Sequence, residues 1–387
     1  MILRSSSKKL SIRTLFLLGT GGAVLLAPTF FAPRPSFADN SKSISMGWKR
    51  PANEPVSLAM SPGGKFMGSV DKDGTIQLYD ENGRLVWKRR VEGATNVLIA
   101  KNGQSLLVYS QLNPIYQNVY FFRADGRLLW THPVEGSVWA GAVSADGTLA
   151  AVTTGKHYAY IYSPDVRRPR FRRLRLDGIG YALTFSPDNR RLVIGTWQRS
   201  GLVCFDINAR FQWRSWHSTE LQYDMQMSLD GRSILGILPG KRSRPNVEIA
   251  LWNSEGELQW TRSIEGFDGR ALISPQSQYA AISYANFLPK KGAGMVERRV
   301  AVYKQNGNLL WEKGGLFFGP RLVALSPMGS SVIVSDGESS LYNIEKSGRI
   351  LSRFTLGGKV QRIIASEDGH RILLYCSDGW LYLMHVG

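Results

Sequence analysis

From about residue 43 to the C-terminus, apolar and polar side chains alternate in short runs. VSLAM, KFMGSV, TIQLYD and RLVWKRRV are the first four, rich in β-branched and aromatic residues. A period of two predicts strands with one buried face. No apolar repeat of 3.6 residues appears after residue 38, so no amphipathic helix is expected there.

Two markers punctuate these runs. The first is a small loop of the form S-x-D/G: SPGGK at Ser61, AKNGQ with Lys101 in the Ser position, SADGT at Ser144 and SPDNR at Ser186. SLDGR at Ser228, SPQSQ at Ser274, SPMGS at Ser326 and SEDGH at Ser366 follow, in steps of 40, 43, 42, 42, 46, 52 and 40 residues. The second is G-x-L-x-W, ending at Trp87, Trp130, Trp213, Trp260 and Trp311; Arg172 and Ser352 stand where the Trp has been lost. Four short antiparallel strands per repeat of this length predict a β-propeller blade. The expected fold is all-β: an eight-bladed propeller of four-stranded antiparallel blades, or seven if one weak unit is mis-segmented. The last unit stops after three strands. ISMGWKR, with Trp48 spaced 39 residues before Trp87, supplies the missing outer strand from the N-terminal side. That closure removes open sheet edges.

The N-terminus departs from this pattern. Residues 1–14 hold Arg4, Lys8, Lys9 and Arg13 and no acid; an apolar stretch broken by Gly and Pro follows, then Ser36-Phe37-Ala38 before Asp39. This is the three-part form of a secretory signal. It sets a boundary of 1–38 signal and 39–387 propeller, with an uncleaved N-terminal membrane anchor as the alternative. The expected location is periplasmic or extracellular.

The full chain of 387 residues carries 48 Lys and Arg against 30 Asp and Glu. Removing the signal takes away five bases and no acid, leaving a formal charge of +13. A charge of that size favours anionic partners such as lipid headgroups or acidic glycans, and export argues against nucleic acid.

The segment DKDGTIQLYDENG at Asp71–Gly83 resembles WD-repeat blades. The ending DGRLLWTHPVEG at Asp125–Gly136 resembles the pyrroloquinoline-quinone-like propeller repeat. That superfamily includes quinone-dependent dehydrogenases and an eight-bladed outer-membrane assembly lipoprotein. The resemblance spans residues 43–387 and concerns structural positions, so it implies a fold rather than a reaction.

Candidate chemistry is sparse. Asp71-Lys72-Asp73-Gly74 reads as a hairpin turn rather than a calcium loop, because the remaining oxygen ligands are missing. Cys204 and Cys376 fall in strand patterns of blades 4 and 8, too far apart to act together, and read as buried thiols. The five His residues sit in no metal or nucleophile motif. No cofactor, no metal and no catalytic residue is expected, and the reading is a non-enzymatic, monomeric binding protein. The alternatives are a quinoprotein-like enzyme using the central funnel and a glycan-binding propeller.

Loop lengths point to a binding face. The S-x-D/G and N-G turns place the a–b and c–d connections at one end of the blades. The insertions fall in b–c loops: SQLNPIYQN in blade 2, LPGKRSRPN in blade 5 and YANFLPKKGAGMVERR in blade 6. Long loops on a rigid scaffold are where binding concentrates. The candidate site comprises Lys241, Arg242 and Arg244, then Phe287, Lys290, Lys291, Arg298 and Arg299, extended by Trp197 and Arg199 in blade 4. A separate basic run, RRPRFRRLR, puts Arg167, Arg168, Arg170, Arg172, Arg173 and Arg175 on the c–d turn and outer strand of blade 3. It reads either as charge protection of an edge strand or as a contact with an anionic membrane or glycan surface. Acids recur before the Gly that leads into each new blade, at Glu92, Glu135, Asp177 and Glu265. They suggest a repeated turn role or an acidic ring on the loop face.

Overall fold

The computed structural model describes residues 43–163, 170–197, 201–215, 224–239, 246–287, 296–316, 321–326 and 329–387. They form eight four-stranded antiparallel sheets. Blade 1 runs Pro55–Met60, Phe66–Asp71, Thr75–Asp80 and Leu85–Arg90, strands a to d from the inside outward. Blades 2 to 7 repeat that order. Blade 8 takes Val360–Ala365, Arg371–Cys376 and Trp380–Val386 from the C-terminus and Ile44–Pro51 as its outer strand. The ring therefore closes by strand exchange, as the alternation predicts.

The first marker builds the a–b turn. The Ser hydroxyl accepts the amide N–H five residues on, as in Leu149 N to Ser144 Oγ (2.8 Å) and Arg371 N to Ser366 Oγ (2.9 Å). It donates to the Asp two residues on, at 2.7 Å from Ser144 to Asp146 and 2.6 Å from Ser228 to Asp230. One buried hydroxyl thus satisfies a strand-end amide and a carboxylate, which is why the pair recurs.

The second marker joins blade to blade. Each Trp lies at one register position of the outer strand: Trp87 opposite Leu78, Trp130 opposite Phe121, Trp260 opposite Leu251. In three of them the indole N–H donates to a carbonyl in the c–d turn of the next blade: Trp48 to Glu81 (3.1 Å), Trp87 to Ala124 (2.9 Å) and Trp260 to Gln305 (2.7 Å). The ring lies against the turn glycine. A Cβ would stand 2.7 Å from the Trp48 ring at Gly83 and 2.8 Å from the Trp260 ring at Gly307. Both glycines also take positive φ, +73° and +78°, so they are required twice over.

The two losses of Trp have structural reasons. Arg172 occupies the Trp register, opposite Ile161, and its guanidinium donates to Asn208 O (2.9 Å) in the next blade's turn. With no indole beneath it, that turn carries Ala209 at φ 68° in place of Gly. Ser352, opposite Asn343, faces blade 8, whose outer two strands, Trp380–Val386 and Ile44–Pro51, are not consecutive in the chain and so present no c–d turn to hold.

Candidate functional site

Strand order divides the ring into two unlike ends. On the a–b end, turns of neighbouring blades bond to each other: Asn102 N to Ala145 O (2.9 Å), Ala145 N to Asn189 Oδ1 (2.8 Å), Asp230 N to Pro275 O (3.1 Å) and Arg371 to Gly64 O (2.7 Å). Lys101 of blade 2 reaches over blade 1 to pair with Glu367 of blade 8 (2.9 Å). Several polar groups of that end are spent on the scaffold.

The b–c end carries the long connections. Blade 2's loop, between Tyr109 and Asn118, lies against blade 3: Gln111 bridges to Val138, Leu112 N donates to Val138 O (2.7 Å) and Gln111 Nε2 donates to Trp139 O (2.8 Å). This leaves Leu112 and Ile115 pointing into solvent, Ile115 at 80% exposure. Beside them stand three half-buried aromatics. Trp139 lies 5.5 Å from Tyr181 and 6.1 Å from Trp197 between ring centroids. Trp139 and Tyr181 are extra residues at β-bulges near the start of strand a, where the register slips between Val138 and Ala140 and between Gly180 and Ala182. A bulge re-aims the extra side chain out of the sheet's alternation. Trp197 was already a candidate from the sequence. Its two partners were not, because a strand-a aromatic reads as core unless the bulge is known.

Of the basic loop residues, Arg298 and Arg299 have described side chains. Arg199, Lys241, Arg242, Arg244, Lys290 and Lys291 lie outside the described residues, and Phe287 is placed only as the last residue of strand b of blade 6 (Tyr279–Phe287). Arg298 sits in strand c opposite Ala285. Arg299 is engaged within its own blade: it pairs with Glu297 (3.0 Å) and Glu312 (2.8 Å), and Tyr284 O–H donates to Glu312 (2.6 Å). The two carboxylates hold its proton more firmly than usual, so its charge is balanced where it stands.

The described blade 3 cations lie on the outer strand, with Arg173 and Arg175 toward the b–c end. Arg167 and Arg168 fall outside the described residues, and Arg170 is placed by its backbone, opposite Ser163. Arg172 holds the neighbouring turn, Arg173 pairs with Glu135 and stacks over Tyr158 (4.7 Å), and Arg175 is exposed. Three of the recurring acids act between blades: Glu135 on Arg173, Asp177 on Arg214 (2.6 Å) and Glu92 on Tyr116 O–H (3.0 Å). Each sits in the linker into a blade and grips that blade.

Both cysteines are buried free thiols in strands, and burial pushes each up to about 12. The central channel, about 390 Å³, is lined mainly by apolar strand-a side chains such as Leu58, Leu98, Leu183 and Met227. Among the described residues no three His, Cys, Asp or Glu side chains converge to hold a cation. This lining does not fit a quinone with its calcium ion.

Asp73 Oδ1 accepts Thr75 N (3.0 Å), a turn role that suits the hairpin reading of that segment. Asp71 is different. It is 1% exposed; Gln77 donates to its Oδ2 (2.9 Å) and its Oδ1 has no partner. Burial pushes its carboxyl up to about 6. The folded protein therefore prefers the protonated form, and the carboxyl's contribution to stability is lost as pH rises from about 4 to about 6. Asp71→Asn is expected to stabilise the protein by about 2 kcal/mol at pH 7.5 and to leave it unchanged near pH 4. Urea unfolding at both pH values measures this.

Solved structures share the fold. The Dos1 propeller superposes with a TM-score of 0.68 at 14% identity, covering 89% of this chain and 96% of that one. The C-terminal WD40 domain of Sif2 gives 0.64 at 11%, covering 89% and 99%. Hydrazine synthase of Kuenenia stuttgartiensis gives 0.58 at 12%, covering 87% and 97%. No curated protein sequence matches the chain. Over residues 41–262, more than half its length, the sequence matches the family described as outer membrane protein assembly factor BamB, and the chain belongs to that family.

Proposed function

We propose that this propeller is an exported, non-enzymatic platform of the cell envelope that presents its b–c end to a protein partner. The observation that carries this is the inequality of the two ends. One is latched turn to turn by hydrogen bonds, and the other gathers the long loops, exposed Leu112 and Ile115, and the Trp139–Tyr181–Trp197 cluster. Half-buried aromatics beside exposed aliphatics are the composition of interface hot spots. The family's description as an assembly factor for outer membrane proteins supports a protein partner in the envelope. The signal-like N-terminus supports export.

A photo-crosslinking residue at Ile115 should join the partner in living cells, and one at Arg210, in a c–d turn at the other end, should not. Trp197→Ala should weaken the isolated complex roughly 30-fold, the size of a single hot spot. Reversing Lys241, Arg242, Lys290 and Lys291 to Glu should slow association and change its salt dependence without shifting the melting temperature. Crosslinking from Arg210 but not from Ile115 would show that the other end binds.

A further inference from the structure

The positive charge of the ring is concentrated in its outer wall. The eight outer strands hold thirteen Lys and Arg against two acids, Glu265 and Glu312. The eight inner strands hold three Arg against two Asp. Nine of the thirteen outer cations lie on blades 8, 1 and 3, in the segments WKR, WKRR and RFRRLR. Blade 2, whose outer strand LLWTHP carries no Lys or Arg, lies between blades 1 and 3, so the arc from blade 8 to blade 3 includes one uncharged outer strand. Eight of the nine have described side chains, all exposed, and only Arg173 meets a carboxylate among the described residues. Arg50 and Arg89 reach backbone carbonyls and Lys49 stacks on Trp380, contacts that leave their charge unbalanced.

The same wall carries an apolar girdle. In every blade one residue near the c–d end of the outer strand, paired with a strand-c residue, is a large exposed apolar one. In the basic arc these are Met46 (49%), Leu85 (51%), Leu128 (37%) and Phe171 (43%), opposite Met384, Tyr79, Phe122 and Tyr162. Blades 4 to 7 continue the girdle with Phe211, Leu258, Leu309 and Ile350, but with few cations beside it. Only the arc from blade 8 to blade 3 combines both features.

We propose that this arc is a membrane-apposed surface: the ring stands on edge against an anionic bilayer, its basic outer strands on the phosphate headgroups and its apolar residues at headgroup depth. Guanidinium groups suit phosphate oxygens, and exposed apolar side chains interleaved with bases are the composition of interfacial segments. A soluble polyanion would use the bases and leave the apolar residues unemployed. The girdle lies toward the c–d end of each outer strand and most of the bases lie toward the b–c end, so the full height of the wall faces the bilayer. This inference stands independently of the partner assigned to the b–c end.

The test is flotation of the purified protein with vesicles of phosphatidylglycerol and phosphatidylcholine, beside retention on heparin as a soluble polyanion. The variant Lys49→Gln, Lys88→Gln, Arg90→Gln, Arg175→Gln removes four cations whose side chains make no hydrogen bond among the described residues. Each base near such a surface is worth roughly fivefold in affinity, so vesicle binding at low salt should fall about several hundredfold. The control Arg232→Gln, Lys304→Gln, Lys313→Gln, Lys346→Gln lowers net charge equally on blades 5 to 7 and should cost less than about threefold. Leu85→Ser with Val86→Ser should weaken vesicle binding about tenfold and leave heparin retention unchanged. Equal losses in the two four-charge variants would overturn the arc and leave only net charge. Unchanged vesicle binding by the serine variant would overturn the bilayer in favour of a soluble polyanion.

Discussion

Deleting Ile44–Pro51 should abolish cooperative folding near 37 °C or lower the melting temperature by more than about 10 °C. This strand completes blade 8 through seven residue pairs with Trp380–Val386. It buries Ile44 and Trp48, and it clasps blade 1 through Trp48 to Glu81 and Arg50 to Gly83 (2.8 Å). Loss of one buried Trp alone costs about 3–5 kcal/mol. The ladder and the second clasp add to that, against a total stability on the order of 5–15 kcal/mol. The strand left at the edge, LYLMH within Trp380–Val386, is mostly apolar and would template aggregation. A synthetic peptide spanning residues 40–53, added to the truncated protein, should restore part of the melting temperature. A truncated chain that melts like the parent would show that the exchanged strand is dispensable.

Trp260→Ala should destabilise the protein by about 3–5 kcal/mol. Trp260 is 8% exposed, donates to Gln305 O, and fills the space under Gly307 beside Tyr303. Gly307→Val should cost a similar amount, because its Cβ would meet the indole and the residue would be held at φ +78°. Arg172→Ala, at the same register in blade 3, should cost no more than about 1 kcal/mol, because an exposed hydrogen bond is replaced by water. Ala209→Gly in the turn above Arg172 should have the opposite sign, a gain of up to about 1 kcal/mol from relief of the left-handed backbone. Chemical denaturation of the four variants decides the matter. Similar losses for Trp260→Ala and Arg172→Ala would refute the tryptophan staple.

These two results test the parts of the fold that could be read from residues alone. The S-x-D/G loops, the G-x-L-x-W endings and the three-strand last unit report local bonds repeated at a fixed spacing. A Ser that must satisfy an amide five residues on, or a Gly that must take positive φ over an indole, leaves its type in the sequence. Blade number, strand order, closure and the end carrying the long loops followed from those marks.

The repeating scaffold, the buried free thiols and the candidate face were therefore legible in the residues. Tertiary structure decided which side chains are available on it. The β-bulges at Trp139 and Tyr181 turn apparent core aromatics outward beside Trp197, because an extra residue breaks a period-two pattern that reads as unbroken. Arg299 counts as a loop cation until Glu297 and Glu312, from two strands of one sheet, are seen to balance it. The acids Glu135 and Asp177 look like a ring of charge until Arg173 and Arg214 of the following blades close on them. The basic arc appears only when the N-terminal strand, blade 1 and blade 3 are set side by side on the outer wall. Charge balance and side-chain direction depend on neighbours distant in the chain, and a local repeat does not encode them.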